Sequence, residues 1–232
     1  MKLAVIPARG GSKRIPRKNI KPFCGKPMIA WSIDAAKQSG CFERIIVSTD
    51  DAEIAEVAKS CGAEVPFMRP AELSGDHTAT IPVIAHAIDW QNTHGEIALE
   101  VCCIYATAPF VQASDLQRSL ESLQIADAEY AFSVTSYAFP IQRAIRISKE
   151  RRAEMFNPEY FNTRSQDLEE AYHDAGQFYW GKAGAWLANK PIFSHHAIPV
   201  ILPRYRVQDI DTIEDWKRAE WMFKAMSNLK SD

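Results

Sequence analysis

Apolar and polar residues form alternating blocks along the first 136 residues, and the blocks have the lengths of strands and helices. The stretches KLAVIPA, ERIIVST and ALEVCCIYA are apolar runs, a pattern typical of strands that are buried on both faces. The shorter EVPFM predicts one more strand. Between them, apolar residues recur at helical spacing, as with Ile29, Ile33 and Ala36. The alternation predicts an α/β fold with a doubly wound, mostly parallel sheet.

Residues that start and end helices separate these blocks. Pro27 suits the first turn of a helix, and Gly40 suits its end. Asp50 is expected to cap the next helix and Gly62 to end it. Helices placed in this way connect successive parallel strands, and such sheets bind ligands at the carboxyl ends of their strands.

The regular alternation stops near residue 137. Residues 136–175 are rich in aromatic and charged side chains without a clear period, and we interpret them as an excursion from the sheet, a dimerisation arm of a single domain, residues 1–232. The stretches GQFYWGKAGAWL and IPVIL then predict core strands, and TIEDWKRAEWMFKAM predicts a closing amphipathic helix. Because residues 136–175 hold more large apolar groups than a free loop on a monomer would, a homodimer is expected.

Composition excludes several classes of protein. The chain has 232 residues, 47% of them hydrophobic, which is enough for one large core. A net charge of −2 offers no broad basic surface, so neither nucleic acid nor a membrane is an expected partner. The five cysteines lack C-x-x-C spacing, which argues against a disulfide framework and a zinc site. With no signal peptide and no long apolar run, we expect a cytoplasmic protein.

A basic, glycine-containing loop follows the first predicted strand. The first 33 residues hold eight Lys or Arg and no acidic residue. In ARGGSKRIPRKN, Gly10 and Gly11 allow close approach of the backbone to a ligand, while Lys13, Arg14, Arg17 and Lys18 supply positive charge. The spacing matches neither a Walker A loop nor a dinucleotide fingerprint. The loop suits a polyphosphate, and a solvated basic loop is the alternative.

Two acidic residues follow a strand-like segment near the carboxyl terminus. Asp209 and Asp211 are two residues apart, so in extended backbone their side chains point to the same face. Carboxylates at this spacing suit Mg²⁺, which also takes water and substrate phosphate as ligands. In the alternative interpretation, Asp211 or Thr212 caps the helix that follows.

Five ordered blocks carry a resemblance to a known family. IPARGGSKRIPRKN resembles the signature of the CMP-sialic acid synthetase family of sugar nucleotidyltransferases, and GKPMIAWSI, RIIVSTDD, RPAELSGDHTAT and QDIDTIEDW extend the similarity over almost the whole chain. The resemblance implies a Rossmann-like nucleotidyltransferase fold. It also implies that CMP passes from CTP to the anomeric hydroxyl of an acidic nine-carbon sugar, with release of pyrophosphate and Mg²⁺ as cofactor.

Within this family, two stretches indicate the branch that activates pseudaminic acid. YATAPF and DAGQFYWG depart from the patterns of members that act on sialic acid. The aromatic residues there suit a deoxy sugar with fewer hydroxyl groups.

The resemblance also assigns roles to individual residues. Residues expected to bind CTP are Ala8, Arg9, Gly10, Gly11, Ser12, Lys13, Asn19, Arg69, Asp76, Thr78 and Thr80, where Asp76 either orders its loop or contacts the ligand. Those expected to act in catalysis are Arg9, Lys13, Lys18, Asp209 and Asp211, the last two as metal ligands. Those expected at the sugar are Tyr105, Thr107, Arg164, Gln166, His173, Gln177 and Tyr179, with Arg164 as the partner of the sugar carboxylate.

Other functions remain open at this level. The sugar could instead be legionaminate, N-acetylneuraminate or 3-deoxy-octulosonate. A non-catalytic nucleotide-binding module and a phosphate-loop ATPase are more distant alternatives, because both carboxylates are present and the Walker A pattern is missing.

Overall fold

Strands and helices alternate through the first 136 residues, as the apolar blocks predict. The computed structural model describes residues 1–229. In chain order the elements are β1 (Lys2–Pro7), the short strands β2 (Pro22–Phe23) and β3 (Lys26–Pro27), α1 (Met28–Ser39), β4 (Arg44–Ser48), α2 (Ala52–Ser60), α3 (Thr80–His94), β5 (Glu100–Ile104), α4 (Ala113–Ile125) and β6 (Tyr130–Ser136).

The rest of the chain adds an arm and completes the sheet. Its elements are β7 (Ile145–Ile147), β8 (Ala153–Met155), β9 (Tyr172–Lys182), α5 (Ala183–Leu187), β10 (Ala197–Ile201) and α6 (Ile213–Leu229). Six strands form one sheet in the order β10-β6-β9-β5-β1-β4. β9 is antiparallel to both of its neighbours, and the other pairings are parallel. The prediction of an α/β fold with a mostly parallel sheet is confirmed.

One predicted strand is wrong, and a second, GQFYWGKAGAWL, is a strand only over GQFYWGK. EVPFM makes isolated bridges to β4 instead of a strand, and Pro66 explains the gap because proline has no amide hydrogen for the ladder. AGAWL leaves β9 and forms the short helix α5, where Trp186 is fully buried and donates to the Val101 carbonyl at 3.2 Å. Alanine favours helix there, and burial of the indole fixes the turn.

The sheet is buried on both faces, as continuous apolar strands require. In β1, Ala4 and Ile6 pack into one core cluster, whereas Leu3 and Val5 pack into the cluster on the other face. The predicted apolar face of α1 joins the first of these clusters. A third cluster joins the loop after β1 to α6 through Ile15 and other residues, and it holds the carboxyl-terminal segment beside that loop.

The helix ends follow the predicted chemistry with one correction. Gly40 closes α1 in the left-handed conformation, with φ of 62°. The side chain that caps α2 is that of Asp51, which accepts from the Ile54 amide at 3.0 Å. Asp50 instead accepts a hydrogen bond from the Gly10 amide at 2.9 Å. The prediction of Asp50 as the cap is wrong, because the loop after β1 engages that carboxylate.

The arm is narrower than the predicted residues 136–175: residues 137–171 form the β7–β8 hairpin and short turns outside the six-stranded sheet, whereas Ser136 ends β6 and residues 172–175 begin β9. Its large apolar side chains are exposed, with Phe139 81% and Ile147 76% accessible. That the arm dimerises stays a prediction. Among the residues that the structure describes, no helix has the length and apolar character needed to cross a membrane.

Candidate active site

A cavity of about 380 Å³ opens where β1 and β5 end. Its walls come from the loop after β1, the segment before α3, the start of α3 and the loop after β5. The predicted site residues that line it are Arg9, Ser12, Lys13, Lys18, Asn19, Arg69, Asp76, Thr78, Thr80, Tyr105, Thr107 and Asp211. The structure therefore gathers most of the predicted nucleotide residues, which come from distant parts of the sequence, around one cavity.

The two glycines of the basic loop play different roles. A Cβ on Gly10 would lie 2.7 Å from an Asp51 carboxylate oxygen, so this position must stay small because the protein packs against it. A Cβ on Gly11 would meet nothing within 4 Å, which leaves that stretch of backbone open. Asn19 is buried and donates to the Arg9 carbonyl at 2.9 Å, which fixes the loop's course. The loop is thus held by the fold on one side and open on the other.

Arg17 does not face the cavity. It adopts a positive φ of 57° and makes two hydrogen bonds to Asp51, at 2.5 and 2.9 Å, and one to Glu53. The hydrogen bond from Arg17 is the main cause that lowers the pKa of Asp51 to about 2. Arg17 therefore anchors the loop to α2, and its charge is already neutralised.

Asp76 binds the two cations that were assigned to the triphosphate. Its carboxylate accepts from Arg9 at 2.6 Å and from Lys13. These two hydrogen bonds, with that of Lys13 the stronger influence, lower the pKa of Asp76. The contacts favour the interpretation of Asp76 as a residue that orders the site, because its partners are protein side chains.

Arg69 is a buried cation with unused hydrogen-bonding capacity. The residue is 6% exposed, and its Nε and one terminal nitrogen have no hydrogen-bond partner in the described part of the chain. The nearest carboxylate oxygen, on Asp50, lies 3.6 Å from that terminal nitrogen. Burial is the main cause that lowers the pKa of Arg69. Because buried donors normally find acceptors, the arrangement favours a ligand that presents acceptors to Arg69 in the cavity.

Asp211 lies between two cations of the basic loop. Its carboxylate is 2.7 Å from Arg14 and 3.3 Å from Lys18, and Lys18 also donates to the Ile210 carbonyl at 2.6 Å. Arg14 also lines the cavity, although it is not among the residues predicted for the site. Its positive charge within the basic loop is the sequence feature that indicates it. Partial burial, and then the nearby Asp211 carboxylate, raise the pKa of Asp209.

Helix capping does not account for Asp211. Thr212 accepts from the Asp215 amide at 3.2 Å, and the Asp215 carboxylate accepts from the Thr212 amide at 2.8 Å, a reciprocal capping pair at the start of α6. Asp211 precedes that pair, so its carboxylate is available for other partners.

The carboxylates of Asp209 and Asp211 suit a hard divalent cation whose coordination shell is completed by substrate. Among the residues that the structure describes, no group of three or more His, Cys, Asp or Glu is arranged to hold a metal. Two neighbouring carboxylates supply part of an octahedral shell, and Mg²⁺ typically fills the remainder with water and substrate phosphate oxygens.

Three of the residues predicted for the sugar lie at the cavity or directly behind its wall. Tyr105 and Thr107 line the cavity, and the Tyr105 hydroxyl lies 3.0 Å from that of Thr80. The ring of Tyr179 lies behind that of Tyr105, with 5.3 Å between centroids, and its hydroxyl donates to Asp174 at 2.5 Å. Tyr105 and Thr107 thus form part of the cavity wall, and Tyr179 supports Tyr105 from behind.

The other predicted sugar residues lie outside the cavity lining. Gln177 is buried and donates to the Arg206 carbonyl at 2.5 Å. His173 packs against the Tyr137 ring at 4.8 Å. Arg164 pairs with Asp167 at 2.7 Å on the exposed arm, next to Gln166. The contacts of Arg164 and Gln166 with a sugar stay a prediction.

Comparison with known proteins supports these observations. Residues 3–226 match the family model described as Cytidylyltransferase. A pseudaminic acid cytidylyltransferase of Campylobacter jejuni subsp. jejuni serotype O:2 is 44% identical over 222 residues, which is 96% of both chains. A CMP-N,N'-diacetyllegionaminic acid synthase of Legionella pneumophila is 33% identical over 226 residues, which is 94% of both chains.

The fold is also shared with solved structures. One of CMP:2-keto-3-deoxy-manno-octonic acid synthetase in complex with CTP has a TM-score of 0.70 at 15% identity, over 97% of this chain and 99% of the other. At that identity the likeness shows the fold alone, a mixed α/β sheet. Because the family model spans nearly the whole chain and the relatives are similar over the same length, the chain belongs to the cytidylyltransferase family.

Proposed function

We propose that this protein transfers CMP from CTP to the anomeric hydroxyl of pseudaminic acid and releases pyrophosphate. The sugar oxygen attacks the α-phosphorus, the bond from that phosphorus to the pyrophosphate oxygen breaks, and the hydroxyl proton passes to a base, for which the candidates are Asp209, Asp211 and hydroxide. Such a reaction needs positioning and charge stabilisation more than covalent catalysis by the protein.

The buried guanidinium of Arg69, two of whose nitrogens lack a hydrogen-bond partner in the described part of the chain, is the observation that carries the nucleotide assignment. Cytosine presents two acceptors side by side, its carbonyl oxygen and its ring nitrogen, whereas uracil presents a donor in place of that nitrogen. A buried group with free donors therefore favours cytosine. Thr78 and Thr80 lie in the same cavity and supply small polar side chains.

The triphosphate is assigned to the basic loop. Arg9 and Lys13 approach each other at Asp76, and the open backbone at Gly11 adds amide donors. A triphosphate would take over the hydrogen bonds that Asp76 now accepts, because its phosphate oxygens carry more negative charge than one carboxylate.

Asp209 and Asp211 are the residues that would hold Mg²⁺. When bound, the ion supplies positive charge that stabilises the phosphoryl oxygens. Lys18 and Arg14 contact Asp211 and so limit its rotation. The two cations also add positive charge at the edge of the cavity where phosphate is expected.

The choice of sugar rests on the relatives and on the wall around Tyr105. The relatives named for pseudaminic acid are 44%, 44% and 37% identical, compared with 33% for the legionaminic acid synthase and 30% for an N-acylneuraminate cytidylyltransferase of Escherichia coli. In this chain the cavity lining includes the ring of Tyr105, which packs against the buried Tyr179 behind it, and the small Ala106. Aromatic and methyl surface suits a sugar that carries a methyl group and acetamido groups.

We also propose that the enzyme is a cytoplasmic homodimer. The arm exposes more large apolar side chains than a solvated loop needs, and a two-fold partner would cover them. Arg164 lies on this arm, and its guanidinium is the proposed partner of the sugar carboxylate. The five cysteines are free thiols, which suits a reducing compartment.

A substrate panel tests the function. The purified protein receives each of the four nucleoside triphosphates with each of four acids, namely pseudaminate, legionaminate, N-acetylneuraminate and 3-deoxy-octulosonate, and pyrophosphate release is measured with and without chelator. We expect release with CTP and pseudaminate, with a preference of roughly a thousandfold over N-acetylneuraminate from several contacts of about 1–3 kcal/mol each. Faster reaction with another acid would replace the sugar and keep the family.

A further inference from the structure

A buried ion pair lies behind the carboxylates proposed to bind the metal. Arg206 is 7% exposed and Asp115, in the first turn of α4, is 3% exposed. The guanidinium of Arg206 makes two hydrogen bonds to the Asp115 carboxylate, at 2.5 and 3.2 Å. A buried ion pair is weak evidence for stability, because desolvation offsets the attraction of the charges. Its geometry, however, is well defined, because a guanidinium meets a carboxylate through two fixed bonds.

The same arginine is held through its backbone. The Arg206 carbonyl accepts from the Gln177 side chain at 2.5 Å, and Gln177 is itself buried in β9. Arg206 is thus fixed to α4 by its side chain and to the central antiparallel strand by its main chain. Both supports belong to the core of the fold.

The segment that begins at Arg206 carries both carboxylates. Asp209 follows three residues later, and Ile210 is buried in the third core cluster, where its carbonyl accepts from Lys18 at 2.6 Å. The segment is therefore held at two points, Arg206 and Ile210. Asp209 lies between these points, and Asp211 comes directly after the second.

We infer that Arg206 and Asp115 are positioning residues, which set the location of Asp209 and Asp211 for the divalent cation without touching substrate. The inference rests on the proposed function. Mg²⁺ demands nearly ideal octahedral geometry at short metal–oxygen distances, so a small shift of one carboxylate weakens binding. An apolar pair at these two positions would fill the space but would fix neither the direction nor the register of the segment.

The test uses the double variant Asp115→Leu/Arg206→Met, which removes both buried charges. Arg118 also contacts Asp115, at 3.2 Å, but its side chain is 54% exposed and stays hydrated in the variant. Mn²⁺ serves as a paramagnetic probe of the cation site, and its binding to the protein saturated with CTP is measured by electron paramagnetic resonance. We expect the Mn²⁺ Kd to rise about tenfold, since the carboxylates lose their alignment. The Kd for CTP in chelator should stay within about twofold, and Tm within about 5 °C of the unaltered protein.

A matched control separates positioning from a general effect of removing an ion pair. Arg44 and Glu64 form an ion pair at the β4 edge of the sheet, away from the cavity. The variant Arg44→Met/Glu64→Leu should leave the Mn²⁺ Kd unchanged. Arg206→Lys, which keeps the charge and loses the two-point geometry, should raise the Mn²⁺ Kd about threefold and gives a reading even where the double variant fails to fold.

The outcomes distinguish the inference from the proposed function. If the unaltered protein shows no Mn²⁺ site that depends on CTP, the proposed function is wrong. If it shows that site and a folded double variant, or Arg206→Lys in its place, binds Mn²⁺ equally well, the positioning role is wrong and the proposed function stands.

Discussion

The basic loop after β1 and the arm both carry several Lys or Arg side chains, but their ion pairs span very different distances along the chain. In the loop, Arg9 pairs with Asp76, Arg17 with Asp51 and Lys18 with Asp211, with sequence separations of 67, 34 and 193. In the arm, Arg164 pairs with Asp167 three residues away, and Arg146 pairs with Glu154 across the β7–β8 hairpin. The loop is therefore organised by the whole fold, whereas the ion pairs of the arm organise only the arm.

Apolar burial shows the same contrast. The loop contributes Ile15, which is 1% exposed, to the cluster under α6. The arm leaves Phe139, Ile147 and Phe161 more than half exposed. A region without its own core gains little stability from its folded shape unless a partner covers it. The difference supports the proposal that the arm contacts a second copy of the chain, whereas the loop packs against its own chain.

Loss of either carboxylate should give the largest effect, and it acts on the loop side of this comparison. Asp211→Ala or Asp209→Ala should lower turnover about a thousandfold, roughly 4 kcal/mol of lost charge stabilisation. Steady-state rates at saturating CTP and sugar, over a range of Mg²⁺, measure the change. Light scattering should give the mass of the unaltered protein, because the arm is untouched. A near-normal rate for purified Asp211→Ala would contradict the metal assignment.

Replacement of Arg69 should give the next largest effect. Arg69→Met removes the buried donors but keeps an apolar side chain of similar length in the cavity wall. We expect kcat/KM for CTP to fall about a hundredfold, and the preference for CTP over UTP, itself at least about a hundredfold, to shrink. Thr107→Val serves as a control. Thr107 lies in the loop after β5, among the residues proposed to contact the sugar, so this change should alter sugar use more than nucleotide choice. An unchanged CTP preference in Arg69→Met would remove Arg69 from base recognition.

Local pattern predicts the parallel strands, the first helices and the position of the basic loop well, because apolar runs and clustered charges are visible in short stretches of sequence. The apolar run of β1 and the α1 face with Ile29 and Ile33 are buried as expected. Asp50 and Asp51 show the limit of such local prediction. The sequence cannot tell which of two adjacent acidic residues caps α2. The Gly10 amide takes one of them, which leaves the other to cap α2.

Partners far apart in the chain could not be predicted in this way. The antiparallel placement of β9 between β5 and β6 follows the arm, and no local signal announces it. The burial of Arg69 and the contact of Asp76 with Lys13 arise only when separate loops meet. The resemblance to a family supplied those positions as candidates, and the fold supplied their contacts.

A charge placed on the arm should break the other side of the comparison. Ile147 and Ile125 are 76% and 80% exposed, but only Ile147 lies on the arm. Ile147→Asp should raise the dimer dissociation constant by roughly tenfold to a hundredfold, because a buried carboxylate without a partner opposes association. Ile125→Asp, on α4, should leave it unchanged. Sedimentation equilibrium of both variants measures the difference, and a monomeric unaltered protein at micromolar concentration would contradict the dimer.

The smallest effect concerns acid stability, and it compares one ion pair from each region. The pKa of Asp51, about 2 in the folded protein, lies below its ordinary value of 3.8, mainly because of Arg17. The stabilisation is therefore fully present above about pH 4 and is lost as pH falls through about 2. Asp51→Asn keeps a side chain that can cap α2 and removes the charge, so it should lower the free energy of unfolding by about 1–2 kcal/mol at pH 7, after allowance for solvent screening. The matched variant Asp167→Asn removes the partner of Arg164 in the exposed arm and should cause no measurable change. Urea unfolding at pH 7 and near pH 2 measures both, and the deficit of Asp51→Asn should be much smaller at the lower pH. Equal destabilisation by the two variants at pH 7 would show that the long-range pair contributes no more than the local one.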